Sequence, residues 1–326
     1  MAMPKISIRA LKALVAVYEE QSFSKAAERE NATQSGMSTQ VKNLETVLDT
    51  PLLTRNRKQF DLTPAGKIVY QEGQRVLHSL LATEQAVEEL KGEISGQVRF
   101  GMIPTLTRSV MVPAMESFKH QFSGVELSLV EEYSFSLMRR VLEGELDFAF
   151  VPAGDLPNGL TAKFVGRDRE MVVSRPGRFG AHAHLSPIPL AALGEARIVV
   201  PSRLNVRRRR IDTVLQAHGV HVAEMLEMDG MLGTLEMVGA TDWIAILPSA
   251  LCHPDKSGQA RQLNVLSEPP MTIDYVMVQK AEVALSRAAA ILSDVIAEHT
   301  NAVLGDWDDL GGQGSITAGE PAYSNK

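Results

Sequence analysis

The residues best suited to chemistry are concentrated in the run 24–66, SKAAERENATQSGMSTQVKNLETVLDTPLLTRNRKQFDLTPAG. Gln34, Ser35, Ser38 and Thr39 bring four small polar groups to the opening turns of one expected helix. Short donors and acceptors at a helix end can approach the edges of base pairs closely. Arg55, Arg57 and Lys58 gather at the tip of an expected hairpin, where cations suit phosphate oxygens. The chemistry implied is recognition of DNA. Bond-making motifs do not occur: there is no GxSxG, no Walker loop and no HExxH. His182 and His184 fall in a loop without a third ligand nearby. Glu131 with Glu132, and Glu143 with Glu145, read as surface acids. No catalytic residue, metal site or cofactor is expected, and the protein reads as a non-enzyme.

Those residues need a frame, and the spacing supplies one. Ser22 or Ser24 caps a short helix carrying Ala26, Ala27 and Glu28, and Asn31 is the turn residue. Thr33 caps the next helix through its hydroxyl. Met37, Val41, Leu44 and Leu48 recur at steps of 4, 3 and 4, one buried stripe. Residues 52–54 and 61–63 read as two strands flanking the basic tip. Residues 8–20 form a first helix whose Leu11, Leu14, Val15 and Tyr18 cover the core. Helix, turn, helix and basic hairpin is the layout of a winged helix-turn-helix.

Thr63 and Pro64 open a long helix to about residue 91, with proline at the tolerated first position. Val69, Gly73, Val76, Leu80, Thr83, Val87 and Leu90 repeat every seven residues, the seam of a coiled coil. A helix of about 27 residues spans roughly 40 Å and would leave that stripe bare, so it implies a partner. After a hinge at 92–96 the pattern changes to alternating strands and helices. Strands are expected near 98–102, 125–129 and 148–151, with helices over 107–122 and 136–142. A second unit follows, with strands at 170–174, 197–200, 222–228, 243–247 and 273–279. Its helices are expected over 207–218, 230–238 and 283–300. This is α/β architecture with a largely parallel sheet.

Several motifs together resemble the LysR-type transcriptional regulators. They are Gln21-Ser22-Phe23 followed by Ala26-Ala27, the run from Thr33 to Glu45, Pro51 to Arg55, and Leu62 to Gly66 (LTPAG). The resemblance covers all but the last twenty or so residues. It implies an N-terminal winged helix-turn-helix over 1–63 and a linker and dimerisation helix over 64–91. It also implies a C-terminal, periplasmic-binding-protein-like effector domain of two lobes, 92–166 with 281–300 and 167–280, with crossovers near 165–169 and 266–272. By position it carries base contacts onto Gln34, Ser35 and Ser38, with Thr39 beside them. Thr33, Lys42, Arg55, Arg57 and Lys58 are carried over as phosphate contacts. Two departures bear on base preference: Ser35 stands where proline is common, and Thr39 where arginine is common, which removes a bidentate guanine contact.

Ligands of α/β lobes sit at strand ends and helix starts. Thr105 and Leu106, Ser134, and Ser202 and Arg203 occupy such places and match the family's effector segments; Asp229 is expected to line the cleft as well. Their hydroxyls and neighbouring backbone amides suit a small organic or aromatic carboxylate. The arginine run 207–210 spreads over all faces of a helix and reads as solvent or subunit contacts, with an anion role open for Arg203 or Arg207. The family resemblance further implies double-stranded DNA as partner, a homodimer or homotetramer, and contact with RNA polymerase. A rival reading makes the two lobes primary, as in a solute-binding protein. The winged helix opposes it, as does the expected lack of an export signal, since the apolar run 11–17 is too short and meets Glu19 and Glu20.

Bulk properties fit. The 326 residues carry a net charge of −6 and a hydrophobic content of 44%. Residues 1–66 hold 9 Lys/Arg against 7 Asp/Glu, leaving 24 against 32 in the rest. Binding must therefore come from placed contacts rather than bulk charge. The single cysteine, Cys252, excludes an intrachain disulfide and suits a reducing cytoplasm; it is expected as a small buried group. No apolar run reaches membrane-spanning length, so no membrane partner is expected. Residues 301–326, rich in Gly and acids, are expected to be disordered.

Overall fold

The computed structural model describes residues 5–56, 59–89, 94–203, 205–281 and 283–310. The first three helices are α1 (Ile8–Glu20), α2 (Phe23–Arg29) and α3 (Gln34–Leu48). Their caps follow from hydroxyl chemistry. Ser7 accepts from the Ala10 amide, Ser22 from Lys25 and Thr33 from Gly36. Ser22, rather than Ser24, is thus the cap of α2. Asn31 turns the chain with φ 49°. Met37, Val41 and Leu44 are buried, and Met37 and Val41 join Ala13, Ala16, Val17, Ala26 and Ala27 in a small core.

The hairpin β1 (Leu53–Asn56) and β2 (Gln59–Leu62) is antiparallel, Leu53 facing Leu62 and Asn56 facing Gln59. Two side chains fix it to the helices. The Gln21 amide donates to the Phe60 carbonyl at 2.9 Å and accepts from the Phe60 N–H at 2.8 Å. Glu45 accepts from the Leu52 N–H at 2.7 Å. At Gly66 a Cβ would lie 2.0 Å from the Leu52 carbonyl oxygen, so backbone meets backbone there and only glycine fits.

Helix α4 (Pro64–Glu89) begins at the Thr63 hydroxyl, which accepts from Gly66 at 2.9 Å. The seven-residue stripe divides. Val69 packs on the DNA-binding core and Gly73 lies against Leu11. Further along, Val76 is 47% and Val87 54% exposed, so the apolar stripe emerges from its own domain. Leu90 and residues 92–93 of the expected hinge at 92–96 lie outside the described residues.

The C-terminal half is built from β3 (Gly96–Met102), α5 (Pro104–Gln121), β4 (Val125–Glu131), α6 (Ser134–Glu143), β5 (Phe148–Pro152), β6 (Leu160–Ser174), β7 (Pro187–Pro189) and β8 (Arg197–Val200). It continues with α7 (Val206–Ala217), β9 (Glu224–Glu227), α8 (Met231–Ala240), β10 (Trp243–Pro248), α9 (Ser249–Cys252), β11 (Gln262–Glu268), β12 (Thr272–Lys280) and α10 (Arg287–Gly305). Strand order is β4-β3-β5-β12-β6-β10-β8-β9, with β11 beside β6 and β7 beside β11. β3 is parallel to β4 and β5, and β8 to β9 and β10.

β6 carries the chain between lobes. Its residues 160–169 pair with β12 in the first lobe, and 170–174 pair with β10 and β11 in the second. Here the structure corrects the expected partition. β12 lies between β5 and β6, so 272–280 belongs to the first lobe and not to 167–280. An apolar run such as Ile273, Tyr275 and Val276–Val278 fits the centre of either sheet, and only its pairing decides. The strand segment 160–169 and β11 were not expected at all.

The end of the chain brings a second correction. α10 runs to Gly305, and Trp307 is fully buried in the second lobe's cluster with Met171, Val173, Leu251 and Cys252. His253 pairs with Asp306 at 2.8 Å, and Lys256 donates to the Asp306 carbonyl. Earlier in the helix, Ala289, Leu292 and Ile296 pack in the first lobe. Residues 301–310 therefore strap one lobe to the other instead of forming a disordered tail. The residues 311–326, also expected to be disordered, lie outside the described residues.

Candidate nucleic-acid interface and effector cleft

With Met37, Val41 and Leu44 turned inward, α3 presents its other face to solvent. Gln34, Ser35, Ser38, Thr39 and Lys42 are all exposed and follow one stripe. The group is stiffened from within. The Thr33 and Ser35 hydroxyls lie 3.3 Å apart, and Thr39 donates to the Ser35 carbonyl at 2.8 Å. Thr39 is thereby half engaged by its own helix, whereas Gln34 and Ser38 are presented outward. Arg55 lies in β1, with its side chain outside the described residues; Arg57 and Lys58 lie outside them as well.

The second site is the crevice between lobes. Tyr133, just before α6, donates its hydroxyl to the backbone carbonyl of Asp229, just before α8. Burial, then the nearby Asp229 and Glu131, push the Tyr133 phenol up. The Asp229 carboxylate accepts from the Ser202 N–H at 2.9 Å. The cavity beneath is about 10 Å³ and is walled in part by Asn205, Arg207, Met228 and Thr234. That is barely room for one water.

Of the expected effector residues, Asp229 and Ser202 meet at this rim, and Ser134 opens α6 next to Tyr133. Arg203 is exposed. Thr105 is buried in the first turn of α5. Leu106, beside it, is fully buried in the first lobe's core. Adjacent residues on a helix point about 100° apart, so a segment match could not assign both.

Sequence reasoning left an anion role open for Arg207 but missed its buried partner beneath the crevice. Arg207 is 6% and Glu170 2% exposed, joined by two parallel bonds of 2.9 and 2.8 Å, and Arg207 also donates to the Ile246 carbonyl. Burial works against the Arg207 charge, and Glu170 more than offsets it. Two residues away, Asp168 accepts from the Arg169 and Ala250 N–H groups and from the Ser249 and Tyr275 hydroxyls. Burial still pushes its carboxyl up to about 6, the hydrogen-bond donors limiting the rise. These groups sit where β6 passes from lobe to lobe. Arg208, also buried, pairs with Asp212 and Glu227. The solvent reading of the arginine run holds only for Arg209 and Arg210, which are exposed. Cys252 is buried and free, and burial pushes its thiol well up, so it stays a thiol.

A winged helix-turn-helix joined by a long helix to a two-lobed α/β domain with an interlobe crevice defines a ligand-responsive DNA-binding regulator. Residues 8–67 match the bacterial regulatory helix-turn-helix protein, lysR family, and residues 91–301 match the LysR substrate binding domain. The chain belongs to the LysR family of transcriptional regulators. Among its relatives is the uncharacterized HTH-type transcriptional regulator YfeR of Shigella flexneri, 27% identical over 91% of this chain and 96% of that one. Another is the nitrogen assimilation regulatory protein nac of Klebsiella aerogenes, 23% identical over 89% and 94%. A full-length cysteine variant of OxyR from Pseudomonas aeruginosa shares the fold with TM-score 0.71 and 20% identity, over 93% of this chain and 98% of that chain. Full-length CbnR in complex with its target DNA does so with TM-score 0.62 and 16% identity, over 91% and 99%. The solute-binding alternative finds no support, because the DNA-binding module is integral to the match.

Proposed function

We propose that the protein binds an interrupted palindrome as a homodimer or homotetramer and switches transcription when a small effector enters the interlobe crevice. The observation that carries this reading is the pairing of an outward polar face on α3 with a crevice spanned by the Tyr133–Asp229 hydrogen bond. Gln34, Ser35, Ser38 and Thr39 read bases, while Thr33, Lys42, Arg55, Arg57 and Lys58 hold phosphates. Two recognition helices engage half-sites about one helical turn, or a multiple, apart. The exposed part of the α4 stripe supplies the subunit contact.

The effector is a small organic or aromatic carboxylate. The starts of α6, α7 and α8 border the crevice, and free N–H groups at helix starts favour anions. Entry requires the Tyr133–Asp229 bond to open, so ligand and closed cleft compete. Such a ligand shifts the assembly only if it binds two arrangements unequally. RNA polymerase is the downstream partner, and the protein acts in the cytoplasm by binding rather than by catalysis. Among the described residues no helix is long and apolar enough to cross a membrane.

The test is footprinting and bend analysis on a selected operator, with an effector found by thermal-shift screening of small carboxylates. A ligand at about a hundred times its Kd stabilises by about 2.7 kcal/mol. The reading expects protection or bend to change with effector. Identical footprints and bends with a tightly bound effector contradict it.

A further inference from the structure

We propose that the protein carries a second small-molecule site, at the joint between α4 and the first lobe, which takes a small carboxylate with an apolar body. The joint is already in contact: Gln71 of α4 reaches Glu143 at 3.5 Å, and Arg75 donates to the Leu142 carbonyl at 3.3 Å. Beside these contacts is a cavity of about 180 Å³, lined by Arg75 and Ser79 of α4 and by Lys280 and Leu285 of the lobe. None of Thr105, Ser134, Ser202 or Asp229 borders it. It is separate from the interlobe crevice.

The charges point to an anion. The Arg75 guanidinium pairs with Glu72 through one terminal nitrogen at 2.6 Å and with the Leu142 carbonyl through the other. Its Nε is buried and has no hydrogen-bond partner among the described residues. A buried donor left unmade is costly, and the guanidinium that lines the cavity attracts a carboxylate through its charge. The Lys280 ammonium, across the cavity, has no hydrogen bond or ion pair to any described residue. Burial and then Arg75 push this ammonium down, with Glu72 opposing, so two cations share this space at some mutual cost. Asp147 also lines the cavity, but its carboxylate already accepts from the Arg99 N–H at 2.7 Å.

Much of the rest of the wall is hydrocarbon, from Val141, Leu146, Val283 and Leu285. A bare inorganic anion leaves that surface uncovered, whereas a ring or short chain ending in a carboxylate covers it. The volume is below the 300 Å³ or so at which drug-sized sites begin, so the ligand is a single ring or short chain. A molecule held by Arg75 on one side and Lys280 on the other ties the helix that carries the DNA-binding domain to the effector domain. It therefore favours one angle between them, to the extent that other angles separate the two cations.

Benzoate serves as the probe, titrated by calorimetry into the full-length protein. The expected result is saturable binding that Lys280→Gln weakens about tenfold or more, a loss of about 1.4 kcal/mol. Lys280→Arg retains the charge and most of the binding. Ser79→Trp, which fills the mouth from the exposed side of α4, blocks binding without removing a cation. Ser202→Ala and Asp229→Asn, at the interlobe crevice, leave it unchanged. Absence of saturable binding to the wild type overturns the proposal. So does binding that survives both Lys280→Gln and Ser79→Trp, or binding that is lost in the crevice variants.

Discussion

Removing the Glu170 charge should cost the effector domain more than any surface change can. In Glu170→Gln the Arg207 guanidinium, 6% exposed, loses its bonded countercharge and keeps one amide oxygen and the Ile246 carbonyl. Water cannot replace the lost partner in so closed a place. Breaking one side of a buried ion pair costs about 3–5 kcal/mol. In a domain of this size each kcal/mol moves Tm by about 2–4 °C, so the melting point should fall by roughly 6–20 °C. Arg207→Met should cost a similar amount, since it strands Glu170. The double variant Glu170→Gln/Arg207→Met removes both charges together, and its cost should be well below the sum of the two single changes. Circular dichroism melts of the four proteins provide the cycle. Single variants that melt within about 2 °C of wild type, or a strictly additive double variant, refute the reasoning.

Asp168 makes stability depend on pH in a definite direction. Its folded carboxyl is raised from 3.8 to about 6. The native protein keeps a proton that the unfolded chain has released, so the stabilisation is complete below the unfolded value and is lost as pH rises through about 6. The difference amounts to about 3 kcal/mol, and Asp168→Asn should flatten that slope in denaturant titrations; equal slopes would contradict it. Trp307→Ala removes a fully buried ring and should cost about 3–5 kcal/mol in thermal melts, and a loss below about 1 kcal/mol would mean the C-terminal strap is not structural. Val76→Asp with Val87→Asp places charges on exposed positions of the α4 stripe, so sedimentation should show the assembly falling apart while circular dichroism stays unchanged. Unaltered sedimentation would remove α4 from the subunit contact.

The sequence was most legible where local chemistry decides the structure. Thr33 and Ser22 are caps because their hydroxyls reach the amides of Gly36 and Lys25. The 4-3-4 spacing of α3 fixed its buried side, and hence which polar residues face outward. Long-range pairing was not legible. β12 looks like any central strand until β5 and β6 are seen on either side. β11 escaped notice because Gln262 and Asn264 are polar, yet both are buried, donating to the His182 and Ala183 carbonyls of a loop about 80 residues away. Arg207 hid in a run of four arginines, and only its partner Glu170, 37 residues earlier, sets it apart. Trp307 sits in a Gly- and Asp-rich stretch whose composition argues for disorder, and one large ring anchored there outweighs that average. Leu106 enters the effector set with its neighbour Thr105, and its side chain packs in the first lobe's core.

The most direct measurement of the central claim is a comparison of specific and non-specific DNA binding by the full-length protein. Wild type and Gln34→Ala/Ser38→Ala would be titrated at fixed salt against a site selected from random fragments and against scrambled DNA. Each good base contact is worth about 1–3 kcal/mol of discrimination, so the variant should lose its preference for the site by about tenfold to a hundredfold or more. Its weak, salt-sensitive binding to scrambled DNA should persist, because phosphate contacts are intact. An unchanged preference for the selected site would show that α3 is not the element that reads it.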